Sequence, residues 1–465
     1  METQTGVRAI TDELAGWLAD TPGNAVPEAV REAARWLILD HLGCAIGGST
    51  LQPGKILLEL LGEQGGAPQA TVFASGERTS LLNAIYLNSA LSNLLDFDDT
   101  LAGHPGGTAI SPALNVGEQL GRSGAEIIEA IAFAYEIMIR VQNAGRPSPE
   151  RYRLVYGLSV WQTLGAVVAA GRLLRLDREQ WRHALGLAAV NAPVPNMRKL
   201  GLELDERPFS WSKNNYGWAS QGGVLGALLA RRGFLGNDNI LDSERGFWRM
   251  AGSDRWEPEA VLDGLGDSWQ LPRTGIKPYA ACRWTHSAID AVRLLREQHP
   301  DLMPELIAGL ELETFYEVAR NLSAAEPTDI IDAQFSVRHV MALELAGRSA
   351  RTGMNEADLH DPQIADLRRR ITLIEASDLS QRYFDSHETP ARLALTTTGG
   401  ETYRIAIDIP WGDPSVPFSE ADRLAKYRAL SFPVIGEAAS ERLEEGILNL
   451  NELPTVSEIL PGRQA

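Results

Sequence analysis

The apolar residues of this chain change their period once, and that change limits the folds open to it. Over residues 24–232 they recur with the 3.6-residue spacing of a helix buried along one face. In 24–43, for example, Val26, Ala29, Ala33, Leu37, Ile38 and Leu42 fall on one side. Segments 81–95, 126–141, 162–174, 179–190 and 221–232 repeat the pattern. Ser111-Pro112 reads as a cap followed by proline at the first helical position, with Gly121 closing that helix. After Trp269 a period of two appears, in 310–315, 370–374 and 392–398. Gly399-Gly400 then makes a turn, and Tyr403, Ile405, Ile407 and Ile409 complete a hairpin pattern. Helical stretches at 287–298, 335–346 and 355–370 interleave with these strands. The expected architecture is therefore mainly α with a second, α+β domain. The helical domain covers 1–268 and the α+β domain 269–408. The tail 409–465, helical again at 419–430 and 440–450, returns to the first domain.

Composition narrows the function. A net charge of −18 argues against a nucleic-acid footprint, and it means that any anionic ligand must be held by locally clustered basic groups. Cys44 and Cys282 are the two cysteines. They cannot supply the four thiolates of an iron–sulfur cluster or a zinc ribbon. No P-loop, Rossmann fingerprint or HExxH spacing occurs. No apolar run reaches membrane-spanning length, and the N-terminus has no apolar signal region, so a cytoplasmic enzyme without membrane contact is expected.

Three segments carry groups suited to chemistry. In Leu94-Leu-Asp-Phe-Asp-Asp-Thr-Leu-Ala-Gly-His-Pro-Gly-Gly107, three aspartates follow an apolar helix, at the end that favours cations. One more helical turn would place Asp96 and Thr100 on the same face. His104 stands in a glycine-rich loop, and a carboxylate with an imidazole supplies a base and an acid. The same residues also read as a solvated acidic turn, or as hard oxygen ligands for Mg²⁺ or Ca²⁺. The second segment, Lys277-Pro-Tyr-Ala-Ala-Cys-Arg-Trp-Thr-His286, precedes Ser287-Ala-Ile-Asp290, a capping-box pattern. Lys277, Tyr279, Arg283 and His286 then stand before a helix N-terminus, where a carboxylate could bind. A surface basic cluster making ion pairs is the plain alternative. The third, Phe209-Ser-Trp-Ser-Lys-Asn-Asn-Tyr-Gly-Trp218, sets Lys213 among aromatics. Lys199 is a further candidate for anchoring a carboxylate.

At these motifs the chain resembles the MmgE/PrpD family, which includes 2-methylcitrate dehydratase, cis-aconitate decarboxylase and iminodisuccinate epimerase. Asp96-Phe-Asp-Asp-Thr100 with His104-Pro105, and Lys277-Pro-Tyr with Cys282-Arg-Trp-Thr-His286, carry most of the likeness. Val26-Pro-Glu-Ala-Val-Arg31, Gly217-Trp-Ala219, Ala333-Gln-Phe-Ser336 and Pro410-Trp-Gly-Asp-Pro414 extend it over nearly the whole chain. The resemblance implies a large all-helical domain, a smaller α+β lid, a homodimer, a site between the domains, and no metal or organic cofactor. By motif position the family's active-site aspartate and threonine fall on Asp96 and Thr100, its histidine on His104, and its two lysines on Lys213 and Lys277. Two departures stand out: the loop between Thr100 and His104 is shorter than in the decarboxylases, and Lys213-Asn-Asn-Tyr216 replaces a frequent Lys-Pro-x-His.

The resulting expectation is a cofactor-free hydro-lyase acting on a 2-methylcitrate-like polycarboxylate. Asp96 and His104 form its acid–base pair, and Lys213, Lys277, Arg283 and His286, with Tyr279 and Lys199, hold carboxylates. Decarboxylation or epimerisation would use the same anion-holding groups. Asp96-x-Asp-Asp99 also matches the acid motif of helical terpene cyclases, but an aromatic content of 7% and the basic 277–286 segment suit an apolar carbocation poorly. A non-enzymatic helical binding protein is the remaining alternative.

Overall fold

A computed structural model describes residues 9–194, 196–197, 207–242 and 246–461, so Lys199 lies outside the described residues. Helices α1 (Ile10–Asp20), α2 (Glu28–Gly48), α3 (Gln52–Gln64), α4 (Leu81–Asn93), α5 (Gly106–Leu120), α6 (Gly124–Ala144), α7 (Leu158–Leu174), α8 (Arg178–Val190) and α9 (Tyr216–Ala230) build the first half. Local chemistry starts several of them. Ser123 with Glu126 and Asp177 with Gln180 form reciprocal capping boxes at α6 and α8. The left-handed Gly121 ends α5 as expected. Helix α9 packs on α4, α7 and α8, and α6 packs on α7. The small residues of α9 permit that closeness: a Cβ at Gly223 would lie 2.6 Å from Thr163 O.

The start of α5 differs from the sequence reading. Pro112 lies inside the helix, not at its first position. The helix opens at Gly106 because the Asp99 carboxylate accepts the Gly106 N–H, at 3.1 and 3.2 Å. A carboxylate at an N-terminus satisfies an orphan donor and complements the dipole, and here it outweighs the donor lost at Pro112.

The second half contains a four-stranded sheet of order β2-β1-β3-β4, with β1 (Ile307–Thr314), β2 (Ile371–Glu375), β3 (Ala391–Thr397) and β4 (Thr402–Ile407). Strand β1 runs parallel to β2 and antiparallel to β3, and β3–β4 is the expected hairpin, turning at Gly400 with φ 87°. Ala391, Leu393, Leu395 and Thr397 of β3 are buried on one face, the period of two made physical. Helices α10 (His286–Gln298), α11 (Val337–Leu345), α12 (Pro362–Arg369) and α13 (Ser377–Ser386) accompany the sheet. The single helix expected over 355–370 is divided, because Asp361 caps a new start at Pro362. The expected capping box at Ser287 is absent: Ser287 Oγ donates to Thr389 O, and Asp290 is taken by Tyr279 and Trp411.

Two apolar cores result. One joins the first-half helices to Phe418, Tyr427, Leu443 and Ile447, so the tail helices α14 (Glu420–Ile435) and α15 (Glu437–Leu448) lie against α2. The other combines the sheet with α10 and α11. It also takes in Phe209, from the loop ahead of α9, which stacks on Phe335 with ring centroids 3.7 Å apart. The chain thus touches the second core well before the sheet begins. No helix among the described residues is long and apolar enough to cross a membrane.

Candidate active site

Helix α4 stops at Asn93, and the chain turns sharply at Asp96, whose φ is 48°. The extra turn that would align Asp96 with Thr100 does not form. Instead Thr100 pairs its backbone with Gly275, N–H to O at 2.9 Å in both directions, which binds this loop to the segment leading to Lys277. The Thr100 hydroxyl takes part in no hydrogen bond among the described residues. Beyond Ala102 (φ 50°) and Gly103 (φ 117°) the loop delivers His104 to the start of α5. Gln142 Nε2 holds it there by donating to Ala102 O at 2.5 Å.

Four segments meet at the Asp96 carboxylate. Lys277 Nζ lies 2.9 Å from Oδ2 and donates also to the Asp96 carbonyl. Lys213 Nζ is 3.4 Å from Oδ1, and His104 Nε2 is 3.8 Å from that oxygen. Lys213, with φ 41°, also donates to Asn93 O at 2.9 Å and to Leu94 O at 3.3 Å. An ammonium on the last carbonyls of α4 is the cation that the helix end calls for, and it offsets the aspartates placed there. From the second core, Gln334 Nε2 reaches Leu94 O at 2.9 Å, and its Oε1 is buried with no hydrogen-bond partner.

The three aspartates have separate tasks. Asp98 Oδ1 lies 3.0 Å from His104 Nδ1 and accepts from Asn93 Nδ2 at the same distance. Asp99 faces the other way, accepting from Gly106 N and, at 2.7 Å, from Tyr135 OH. Among the described residues no three His, Cys, Asp or Glu side chains are grouped to hold a metal ion.

Burial by itself would push the Asp96 carboxyl up, but Lys277, Lys213 and His104 together hold it well below the usual carboxylate range. Asp98 is lowered in the same way, His104 outweighing burial. Burial and the Asp98 charge raise Asp99 to about 7. Burial, reinforced by Lys277, lowers the Lys213 ammonium against the pull of Asp96. The cluster is closed: Lys277, Asp96 and Lys213 side chains are 0%, 2% and 3% exposed, and His104 alone of the four retains an open edge, at 12%.

The remaining expected ligands are engaged elsewhere. Arg283 donates to Trp411 O at 2.8 Å and Pro410 O at 3.3 Å, so its fork grips a strap of backbone and not an open anion site. His286 sits in the first turn of α10 with Nδ1 3.3 Å from Arg283 Nη1 and Nε2 3.1 Å from Ala281 O. Burial and the Arg283 charge keep its ring neutral. Tyr279 OH donates to Asp290 at 2.7 Å. Burial pushes the nearby Cys282 thiol up to about 12, which leaves no thiolate for attack.

Sequence reasoning missed Lys426. Its Nζ lies 2.5 Å from Asp40 Oδ1, donates to Phe97 O at 2.6 Å and sits 4.0 Å above the Phe97 ring. It supports the Asp96–Asp98 turn from behind, out of the tail. No motif marks it; only the fold makes this one lysine of α14 internal. Gln334 had a signal, since it lies in the Ala333-Gln-Phe-Ser336 motif.

Comparison with known proteins agrees with the geometry. The family model of the MmgE/PrpD N-terminal domain matches residues 12–259, and that of the C-terminal domain matches 279–452. Cis-aconitate decarboxylase of Aspergillus terreus is 25% identical over 480 residues, covering 97% of this chain and 95% of that protein. Cis-aconitate decarboxylase of Homo sapiens is 23% identical over 469 residues, covering 97% and 94%.

Proposed function

The chain belongs to the MmgE/PrpD family, and from that premise we propose that it is a lyase that decarboxylates a cis-aconitate-like unsaturated tricarboxylate, with His104 as the proton donor. The observation that carries this choice is the ionised state of Asp96 and Asp98. Cations hold both carboxylates charged, and a carboxylate so stabilised is a weak base. Imidazole is the side chain best matched to proton transfer near neutral pH, and His104 carries the open edge. A hydro-lyase needs one group to take a proton from carbon and another to protonate the leaving hydroxyl. A decarboxylase needs one proton donor and a positive environment for the carbanion. The names of the relatives support the same preference over a 2-methylcitrate dehydratase.

In this reading the bond to the departing carboxylate breaks and its electron pair moves into the allylic system. Carbon dioxide leaves, and negative charge collects beside a retained carboxylate. Lys277, which gives two N–H donors to Asp96, has a third to offer that charge. His104 protonates the carbanion and is reprotonated from water. Exclusion of water around the lysines strengthens their effect on the developing charge.

The test is NMR of the intact protein with cis-aconitate or 2-methylcitrate in D₂O. The expected result is CO₂ release from cis-aconitate, a new terminal methylene, and one deuterium in the product. Dehydration of 2-methylcitrate without CO₂ release would move the chain to the hydro-lyases of the family.

A further inference from the structure

A second set of charges lies on the seam between the two cores. Helix α6 ends just past Gln142, the residue that holds the His104 loop. The chain that follows carries Arg146, Arg151 and Arg153 across to the second half. Arg146 donates to Phe384 O at 3.1 Å and contacts His387 Nε2. The Arg153 guanidinium lies 4.2 Å from the Tyr316 ring centroid and 5.4 Å from that of Phe384. Tyr152 OH is 3.5 Å from Tyr383 OH. Two further arginines approach: burial and, to a smaller extent, Arg255 lower the Arg146 guanidinium, while burial with Arg146 and Arg273 brings His387 down to about 4.

Nothing acidic balances this group. Among the described residues no carboxylate lies within ion-pair distance of Arg146, Arg153 or Arg255. The neighbouring Asp254 is occupied by Ser148, whose N–H and Oγ–H it accepts at 2.8 and 2.6 Å, and Glu317, buried near Tyr383, lies beyond that distance. Arg153 Nε is buried with no hydrogen-bond partner. In a chain of net charge −18, an uncompensated gathering of guanidinium groups at a domain seam is costly. An unmet buried donor adds to that cost. Planar guanidinium forks match the oxygens of phosphate and carboxylate.

We propose that this seam is a binding site for a small oxyanion carrying two or more charges, phosphate- or carboxylate-based, held between Arg146, Arg153 and Arg255. The site is separate from the Asp96 cluster and does not depend on which reaction that cluster performs.

Calorimetric titration of the full chain at low ionic strength tests this, with pyrophosphate in one arm and citrate in the other. The titration is run on Lys277→Met, which removes the active-site cation, and on the same protein carrying Arg153→Gln. One equivalent of at least one anion is expected to bind Lys277→Met, and Arg153→Gln should weaken it about tenfold, the worth of one charge-assisted hydrogen bond. Arg255→Gln, an exposed change that leaves the packing intact, should weaken it in the same direction. The arm that saturates at lower concentration identifies phosphate or carboxylate as the chemistry selected. Absence of binding by both anions to Lys277→Met, or binding untouched by both arginine changes, would overturn the proposal.

Discussion

Lys277 and Asp96 stand 181 residues apart in the chain, yet the ammonium of one lies 2.9 Å from the carboxylate of the other, both out of contact with water. The pair joins the two halves of the molecule at the point where the proposed chemistry occurs. Removing one partner of a buried pair leaves the other charge uncompensated. Lys277→Met should therefore destabilise the protein by about 3–5 kcal/mol and abolish turnover. Denaturant titration and product assay check the two effects together. A stable, active Lys277→Met would show the pair to be incidental.

Lys426 makes the same argument from behind the site. Lys426→Met should strand Asp40 and release Phe97 O, with a loss again of about 3–5 kcal/mol. The double change Lys426→Met/Asp40→Asn should lose much less than the sum of the singles, because the two groups act on each other. Additive losses in equilibrium unfolding would mean that they do not.

Arg283→Lys tests the strap. A lysine keeps the charge but cannot bridge the carbonyls of Pro410 and Trp411 as the guanidinium does. The melting temperature should fall while KM stays within a few fold. A large rise in KM at unchanged stability would return Arg283 to the substrate, where its sequence context first placed it.

Asp99 supplies a pH signature. Its folded pKa is raised from 3.8 to about 7, so its protonated form is favoured in the folded state. The stability it contributes is fully present below 3.8 and is lost as pH rises through about 7. Buried neutral histidines such as His41, lowered to about 4, act in the opposite sense over part of this range. The informative quantity is therefore the difference between Asp99→Asn and wild type. The variant should gain on wild type as pH rises to about 7 and hold level above it. A difference independent of pH, measured by thermal melts, would contradict the assignment.

Much of the fold was legible because burial on one face leaves a period in the sequence. The helices around α6–α9 and the β3–β4 hairpin follow from that alone. What failed was local and has identifiable causes. Ser111-Pro112 looked like a helix start because Asp99, the true partner of the α5 N-terminus, lies on the preceding loop. Ser287 looked like a cap because nothing in sequence reveals that Thr389 O competes for its hydroxyl. At the site, Asp96 and His104 share one short segment and could be read together. Lys213 and Lys277 lie 117 and 181 residues from Asp96, and only motif resemblance pointed to them. Charge type was misleading for Arg283, since a guanidinium serves a carboxylate and a pair of carbonyls equally well.

The central claim is that His104 moves the proton while Asp96 is held charged beside it. The most direct measurement is kcat for CO₂ release from cis-aconitate by His104→Gln, taken alongside its melting temperature. The account predicts a fall of roughly 10²–10⁴-fold, the usual size of a general acid's contribution, with the melting temperature close to wild type. A His104→Gln protein that is stable and releases CO₂ within a few fold of the wild-type rate would contradict it.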